Sequence, residues 1–188
     1  VAEPVITLTD AYGNVTTGTG SAKVIAGDYK FSVSDGGHNR TDGTLTVSAD
    51  ARVSVALPYG EWFGNIRLLD AEKEPYRFKQ SQADHTAQYW IEDTGNALSS
   101  VYLNVVMGNV PDTKTTKLRT IYTGTNGKDM SSLARSWNST ATSLTYLLAA
   151  GMEGKTFALE GQYAGADGYT QIQSYDVTVT RVPTLKAL

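Results

Sequence analysis

Few side chains in this sequence have the types and spacing that catalysis requires. The two histidines, His38 and His85, are each flanked by polar or glycine residues of the kind found in exposed loops. There is no cysteine, which excludes thiolate nucleophiles, disulfides and cysteine-ligated metals. We therefore expect both histidines to lie in exposed loops, outside any catalytic arrangement.

The carboxylates closest to a glycosidase-like pair are Asp70, Glu72 and Glu74, with Glu92 and Asp93 as a second group. Residues spaced by two lie on one face of a strand, and a charged face of that kind is normally solvated. Glu92 and Asp93 open a turn. The motifs of zinc proteases, serine hydrolases and nucleotide-binding loops are absent from the sequence. These observations predict that the chain is not an enzyme.

Calcium is the one metal for which the sequence offers candidate ligands. Asp35, Asn39 and Asp42 lie within one loop-like segment, and calcium prefers oxygen ligands supplied by turns. Asp10 and Asn14 form a similar pair. Neither segment has the spacing of an EF-hand, and Asp and Asn are also ordinary turn residues. A calcium site at Asp35, Asn39 and Asp42 and a turn without metal remain alternatives, and no other cofactor is indicated.

The aromatic residues suggest a second kind of binding site. Trp62, Trp90 and Trp137 could each offer a flat face for stacking against a sugar ring, because exposed aromatic patches often mark binding sites. The alternative is that these rings fill sandwich cores, which routinely bury Trp and Tyr. Trp137 has polar neighbours and is the best candidate for an exposed ring.

Composition limits the classes of partner. The chain has 188 residues, a net charge of −3 and only 19% charged residues, with the cations scattered along it, so neither nucleic acid nor an anionic membrane is an expected partner. No apolar run approaches the roughly 18–20 residues of a membrane helix. Abundant Thr and Gly, together with 11 Tyr, are typical of extracellular β-proteins. The lack of cysteine favours a bacterial surface protein over a secreted eukaryotic one.

The first third of the chain has the hydrophobic pattern of a small all-β unit. Tyr29, Phe31 and Val33 alternate with polar residues, which places the apolar side chains on one face of a strand. Turn residues separate this strand from its neighbours, and residues 35–43 have the composition of a loop. The predicted strands are 5–9, 21–25, 29–34, 44–47 and 52–57, the last two forming a hairpin.

A Pro58-Tyr59-Gly60 break suggests a domain boundary, and a second series of strands follows it. Residues 139–151 differ from the rest, because Leu144, Leu147 and Leu148 before a Gly suit one short helix, with a strand as the alternative. The strands predicted in this second part are 62–69, 75–79, 87–92, 98–106, 117–122, 157–163 and 171–182.

Two segments carry a resemblance to known families. Val24-x-Ala26-Gly27-Asp28-Tyr29-x-Phe31-x-Val33, with Asp10-Ala11-Tyr12-Gly13-Asn14 before it, resembles prealbumin-like surface modules of the carboxypeptidase regulatory-like, PEGA and collagen-adhesin B-type repeats. This likeness covers residues 1–58. Residues 175–188, which read Tyr-x-Val-x-Val-x-Arg and then Pro-Thr-Leu, are similar to the last strand of bacterial cadherin-like sandwiches. Such families imply extracellular, non-catalytic modules that occur in tandem.

We therefore expect an all-β fold with two immunoglobulin-like or prealbumin-like β-sandwich modules, at 1–58 and 59–182, and a linker at 183–188. The expected function is that of a structural or adhesion module in a multi-domain bacterial cell-surface protein. A carbohydrate-binding module and an accessory region of a secreted enzyme are the alternatives. The expected partners are neighbouring sandwich modules and, on the outside, a glycan or a host surface protein.

Overall fold

The structure, a computed structural model, describes residues 3–49, 52–70, 72, 74, 80–92, 102–109, 111, 116–123, 129–136, 143–147 and 155–182. These residues form thirteen strands and contain no helix, so the predicted all-β class is confirmed. Nor does any helix suited to crossing a membrane occur in this part of the chain. The chain divides into two compact units: residues 1–60 with 161–173, and residues 61–160 with 174–188. The two sandwich modules predicted as 1–58 and 59–182 stay a prediction.

Unit 1 is built on four strands, β1 (Val5–Thr9), β2 (Val15–Thr19), β3 (Gly27–Ser34) and β4 (Asn39–Val47). They pair antiparallel in the order β2-β1-β3-β4. Residues 170–173, the start of β13 (Thr170–Val182), then pair with residues 39–42 of β4. Unit 1 is therefore completed by a segment that lies more than one hundred residues further along the chain.

The core of unit 1 follows the alternation seen in the sequence. Leu8, Tyr29, Phe31 and Val33 are buried, and intervening residues such as Lys30 are exposed. Tyr169 joins this core, with its ring perpendicular to that of Phe31 and the ring centres 4.8 Å apart. The predicted strands 5–9 and 29–34 are confirmed.

Three other predictions for unit 1 are wrong. The second strand is β2 rather than 21–25, β4 begins at Asn39 within the segment predicted as a loop, and 52–57 is not a strand. Instead of pairing in a ladder, this last segment is held to β4 by a side-chain hydrogen bond, in which Thr41 Oγ1 donates to Ala56 O at 2.6 Å. Gly43 explains the error in β4, because a side chain there would collide with the rings of Phe31 and Tyr169.

Unit 2 contains the remaining strands in two sheets. The smaller sheet has the order β11-β8-β5, with antiparallel pairing throughout. In the larger sheet β10, β9, β12 and β13 follow one another, β7 pairs with β13, and β6 pairs with β7. The bounds are β5 Phe63–Leu69, β6 Gln80–Ala83, β7 Thr86–Glu92, β8 Tyr102–Met107, β9 Thr116–Thr123, β10 Asp129–Ser136, β11 Ser143–Leu147 and β12 Lys155–Ala164.

Two side chains of the larger sheet contact the smaller sheet of unit 2. The Tyr89 hydroxyl on β7 donates to the Ile66 carbonyl of β5, and Gln82 Nε2 donates to the same carbonyl at 3.3 Å. A sheet-on-sheet arrangement is compatible with a β-sandwich. The fully or almost fully buried apolar residues of this unit are Trp62, Ile66, Ala87, Leu103, Val105, Leu159, Val177 and Val179.

The short helix predicted within 139–151 is wrong for the residues that the structure describes. Ser143–Leu147 forms β11 and pairs antiparallel with β8, so the alternative, a strand, is confirmed there. Thr145 and Tyr146 favour extended backbone, and pairing with β8 outweighs the helical spacing of the leucines. The predicted strand 75–79 lies outside the described residues.

Candidate functional site

His85 lies at the centre of the best-defined polar cluster in unit 2. The two-residue turn Asp84-His85 joins β6 to β7, with Ala83 and Thr86 as the closing pair. His85 has a φ of +50°, a left-handed conformation that is unfavourable for a residue with a side chain. This backbone geometry accompanies an inward-facing imidazole that is only 7% exposed. The prediction of an exposed loop histidine is therefore wrong for His85.

Both ring nitrogens of His85 face hydrogen-bond acceptors. Nδ1 lies 2.9 Å from the carbonyl oxygen of Ser174, and Nε2 lies 3.0 Å from the carboxylate of Glu61. A main-chain carbonyl only accepts, so Nδ1 must carry a proton in this arrangement. Nε2 faces the Glu61 carboxylate, which, when it is ionised, can only accept a hydrogen bond. The imidazole thus connects two segments that are far from it in sequence.

The backbone of His85 adds a further link to the same strand. The His85 carbonyl accepts a hydrogen bond from the Asp176 amide at 2.9 Å. The ring and backbone of one residue therefore hold β13 at two points, on either side of Tyr175. The Tyr175 ring packs 5.7 Å from the imidazole and 5.6 Å from the ring of Phe63.

The tyrosines in this region stay protonated at neutral pH. Burial raises the pKa of the Tyr175 phenol, and the negative charges of Glu61 and Asp84 raise it further. Burial also raises the pKa of Tyr89, with a smaller contribution from Tyr175. Each hydroxyl donates to a main-chain carbonyl, Tyr175 to Thr86 at 3.4 Å and Tyr89 to Ile66. These hydroxyls act as structural donors.

The arrangement at His85 holds a strand in place. Proton abstraction needs a ring nitrogen that can reach substrate, and both nitrogens here have protein partners. The sequence around His85 gave no sign of this role, because its partners lie 24 and 89 positions away. The one local signal was a polar dipeptide between two β-like segments, which indicates a turn.

The candidate calcium ligands are only partly brought together. Asp35 Oδ1 accepts from the amides of Gly37 and Asn39, at 2.8 and 3.2 Å, and Asn39 Nδ2 donates to Asp35 Oδ2 at 2.8 Å. Asn39 Oδ1 in turn accepts from Gln173 Nε2 at 3.0 Å. Asp42 is three positions further along β4 than Asn39 and lies on the opposite face of the strand. Its Oδ2 forms an ion pair with Arg40 Nε at 3.0 Å.

The second Asp-Asn pair has the same hydrogen-bond pattern. Asp10 Oδ1 accepts from the amides of Tyr12 and Asn14, each at 2.9 Å, and Asn14 Nδ2 donates to Asp10 Oδ2 at 3.0 Å. The carboxylate therefore closes the β1–β2 turn in the way that Asp35 closes the β3–β4 turn. In both loops aspartate acts through protein hydrogen bonds, and the calcium assignment stays a prediction.

These hydrogen bonds perturb both carboxyl groups. The side chain of Asn14, with main-chain amides, holds the pKa of Asp10 below its usual value of 3.8. For Asp35, burial raises the pKa, but hydrogen bonds from Asn39 and Gly37 and the nearby His38 outweigh it, so the net shift is downward.

Of the remaining candidate carboxylates, the structure describes the group around Asp70, which makes local hydrogen bonds. Asp70 Oδ1 accepts from the amides of Glu72 and Glu74, each at 3.0 Å, while the latter two side chains are exposed. Across the described residues, no group of three or more His, Asp and Glu is placed to hold a metal ion. Asp93 lies outside the described residues, as do the side-chain contacts of Glu92.

The three tryptophans differ in accessibility. Trp62 has no exposed surface, so its ring is unavailable for stacking on a sugar, and Trp90 is half-buried. Trp137 lies outside the described residues. The most exposed aromatic side chains described are Tyr12, 92% exposed, and Tyr59, 93% exposed, which the sequence analysis did not single out.

Comparison with known proteins adds no family to these observations: no family model matches the chain, and no curated protein matches it.

Proposed function

We propose that this chain is a non-catalytic structural and adhesion module of a multi-domain bacterial cell-surface protein, which spaces or presents neighbouring sandwich modules outside the cell. The observation that carries the proposal is the pairing of β13 with β7. These strands run parallel for seven residue pairs, from Asp176 opposite Thr86 to Val182 opposite Glu92. Such a pairing near the carboxyl-terminal end of the chain suits a protein that transmits tension.

The direction of pairing determines how a pulling force acts. When two paired strands are pulled in opposite directions along their axes, all the ladder hydrogen bonds are loaded together. Glu61, the first residue of unit 2, contacts His85 at the start of the β7–β13 pair, and Val182 marks its far end. Tension between residues 61 and 182 therefore shears the pair along its length.

Side-chain contacts strengthen this pairing at its start and through its first half. Val177 and Val179 on β13 have no exposed surface, and His85 holds the strand on either side of Tyr175. If β13 slid along β7, the hydrogen bonds to His85 would break and Val177 and Val179 would become exposed in the same step. A high barrier to such motion is what a load-bearing module requires, because forced unfolding is governed by the unfolding rate.

Single-molecule pulling tests the proposal. The full chain, held between flanking marker domains and stretched from its two ends, should show a separate high-force step for unit 2. His85→Ala should lower that force, whereas His38→Ala, in the other unit, should leave it unchanged. If unit 2 extends at forces no higher than those that extend unit 1, the load-bearing proposal is wrong.

Carbohydrate binding remains the second proposal, and one observation favours it. The side chains of Tyr12 and Tyr59 are almost fully exposed, so both rings are accessible for stacking on a sugar. Isothermal titration of the chain against a soluble glycan panel tests this alternative. Heats that persist in the double variant Tyr12→Ala/Tyr59→Ala would exclude these two residues as the stacking surface.

A further inference from the structure

We infer that unit 1 carries a binding groove for a linear apolar molecule with an anionic head group, such as a medium-chain fatty acid. The groove has a volume of about 810 Å³ and runs over the β1-β3-β4 face of the sheet. This volume lies within the range of ligand sites, about 300–1,000 Å³. Its floor consists of Ile6, Leu8, Phe31, Val33, Leu45 and Val47.

The walls of the groove are two extended segments outside the strands. Residues 20–26 form one wall and residues 52–55 the other, and Val24 and Val55 turn apolar side chains onto the core. A well-packed interior has few voids larger than a water molecule. Leu8, Phe31 and Val33 at the base of the groove are already buried core residues. Ile6, Leu45 and Val47 are only half-buried, so an apolar chain lying along the groove would remove the remaining exposed surface of these three from water.

The charges along the groove favour an anion. The charged side chains among its described lining residues are Lys23 and Arg52, and both are exposed. No Asp or Glu is found among those lining residues, although the whole chain is acidic, with a net charge of −3. Two cations beside an apolar surface complement a carboxylate joined to a hydrocarbon chain.

The positions of these charges give the ligand a direction. The Glu3 carboxylate lies against Gly20, whose amide donates to the Pro4 carbonyl at the start of β1. Arg52 lies towards the other end of the groove. The chain leaves β4 at Val47, passes through Arg52 and runs back along β4 until Ala56 accepts a hydrogen bond from Thr41. The carboxylate should therefore lie towards Arg52 and the methyl end towards Ile6.

Titration of the full chain with dodecanoate, followed by calorimetry below its micelle concentration, tests the site. We expect saturable one-to-one binding that weakens roughly fifteenfold for decanoate, since each methylene contributes roughly fourfold. Dodecyltrimethylammonium, which has the same tail with a cationic head, should bind at least about tenfold more weakly. Added salt should reduce this head-group preference and leave the methylene increment unchanged.

Two variants locate the binding. Ala49→Trp places a large ring at an exposed position of the lining and should abolish dodecanoate binding while circular dichroism stays unchanged. Lys23→Glu/Arg52→Glu, which changes exposed side chains, should weaken binding at least about tenfold. The matched control is Lys30→Glu, an exposed lysine on the opposite face of β3, and it should bind like the unmodified chain.

Three results would overturn the inference: no saturable binding of dodecanoate, binding that a folded Ala49→Trp chain retains, or equal affinity for the cationic analogue. If Ala49→Trp does not fold, the charge-reversed variant decides the question through its affinity relative to Lys30→Glu.

Discussion

At the scale of single residues, His85 combines an unfavourable backbone conformation with a favourable set of contacts. Its left-handed φ costs about 1–2 kcal/mol for a residue with a side chain. The hydrogen bonds of its ring to Ser174 and Glu61 offset this cost. His85→Ala should therefore destabilise unit 2 by about 2–3 kcal/mol, because the backbone strain stays, the partly buried Ser174 carbonyl loses this donor and the packing of the buried ring is lost.

A glycine at the same position separates the two effects. His85→Gly removes the ring but tolerates positive φ, so it should be more stable than His85→Ala by about 1 kcal/mol. Urea denaturation of both variants measures the difference. Equal stabilities of His85→Gly and His85→Ala would mean that the left-handed backbone causes no strain. If His85→Ala were as stable as the unmodified chain, the ring would not stabilise the fold.

Asp10 and Asp35 should make unit 1 sensitive to acid. The folded state lowers both pKa values, so each carboxylate stabilises the fold fully above its usual pKa of 3.8, and that contribution is lost as pH falls through the lower folded-state value. Asp10→Asn/Asp35→Asn should flatten the fall in stability below about pH 4. The midpoint of urea unfolding, measured for both chains over this pH range, tests the prediction. If the stability of the double variant fell as steeply with pH as that of the unmodified chain, the two aspartates would not be the source of the acid sensitivity.

Prediction from sequence at this scale succeeded for turn chemistry and failed for burial. The Asp-x-x-x-Asn pattern of both loops indicates turns, because the side chain supplies local acceptors within four residues. For His85 the local neighbours are polar, yet the side chain is buried and its ring contacts Ser174, 89 positions away. Burial by partners this distant in sequence cannot be predicted from the neighbouring residues alone.

At the scale of elements, β13 lies between β12 and β7 in the larger sheet of unit 2 and has a buried apolar face. Val179 has no exposed surface, whereas its neighbour Thr180 is half-buried on the other face. Val179→Ala should cost about 2 kcal/mol, because it removes buried apolar area and leaves a cavity.

The matched control for this prediction is Thr180→Ala, which changes strand propensity more than packing and should cost less than about 1 kcal/mol. Thermal unfolding of the two variants, compared with the unmodified chain, makes the measurement. A larger loss for Thr180→Ala would mean that the buried face of β13 has been assigned wrongly.

Strands with strong alternation could be predicted from the sequence, and strands containing glycine could not. β1 and β3 were predicted nearly residue for residue, because apolar side chains alternate with polar ones in both strands: Ile6 and Leu8 in β1, and Tyr29, Phe31 and Val33 in β3. β4 was shortened because Gly43 resembles a turn residue. In the structure this glycine makes room for the rings of Phe31 and Tyr169, a tertiary reason that local propensity does not contain.

At the scale of the whole molecule, unit 1 depends on residues 161–173. A chain that ends at Gly60 lacks the pairing of β13 with β4 and the contact of Tyr169 with Phe31. We expect such a chain to show no cooperative unfolding transition by circular dichroism.

Joining residues 161–173 to residue 60 through a flexible Gly/Ser linker should restore that transition. The same linked chain carrying Tyr169→Ala provides the control, and it should unfold at lower urea. Cooperative unfolding of residues 1–60 alone, with the stability seen in the full chain, would show that the returning segment is dispensable.

The returning segment also has a consequence for the order of events during synthesis. The ribosome completes residues 1–60 about one hundred residues before it supplies the strand that pairs with β4. Throughout that interval the outer edge of β4 has unpaired amides and carbonyls, and an edge of this kind can pair with another chain. Folding of unit 1 is therefore tied to the synthesis of residues 161–173, and until then the edge of β4 has to be kept from pairing with other chains.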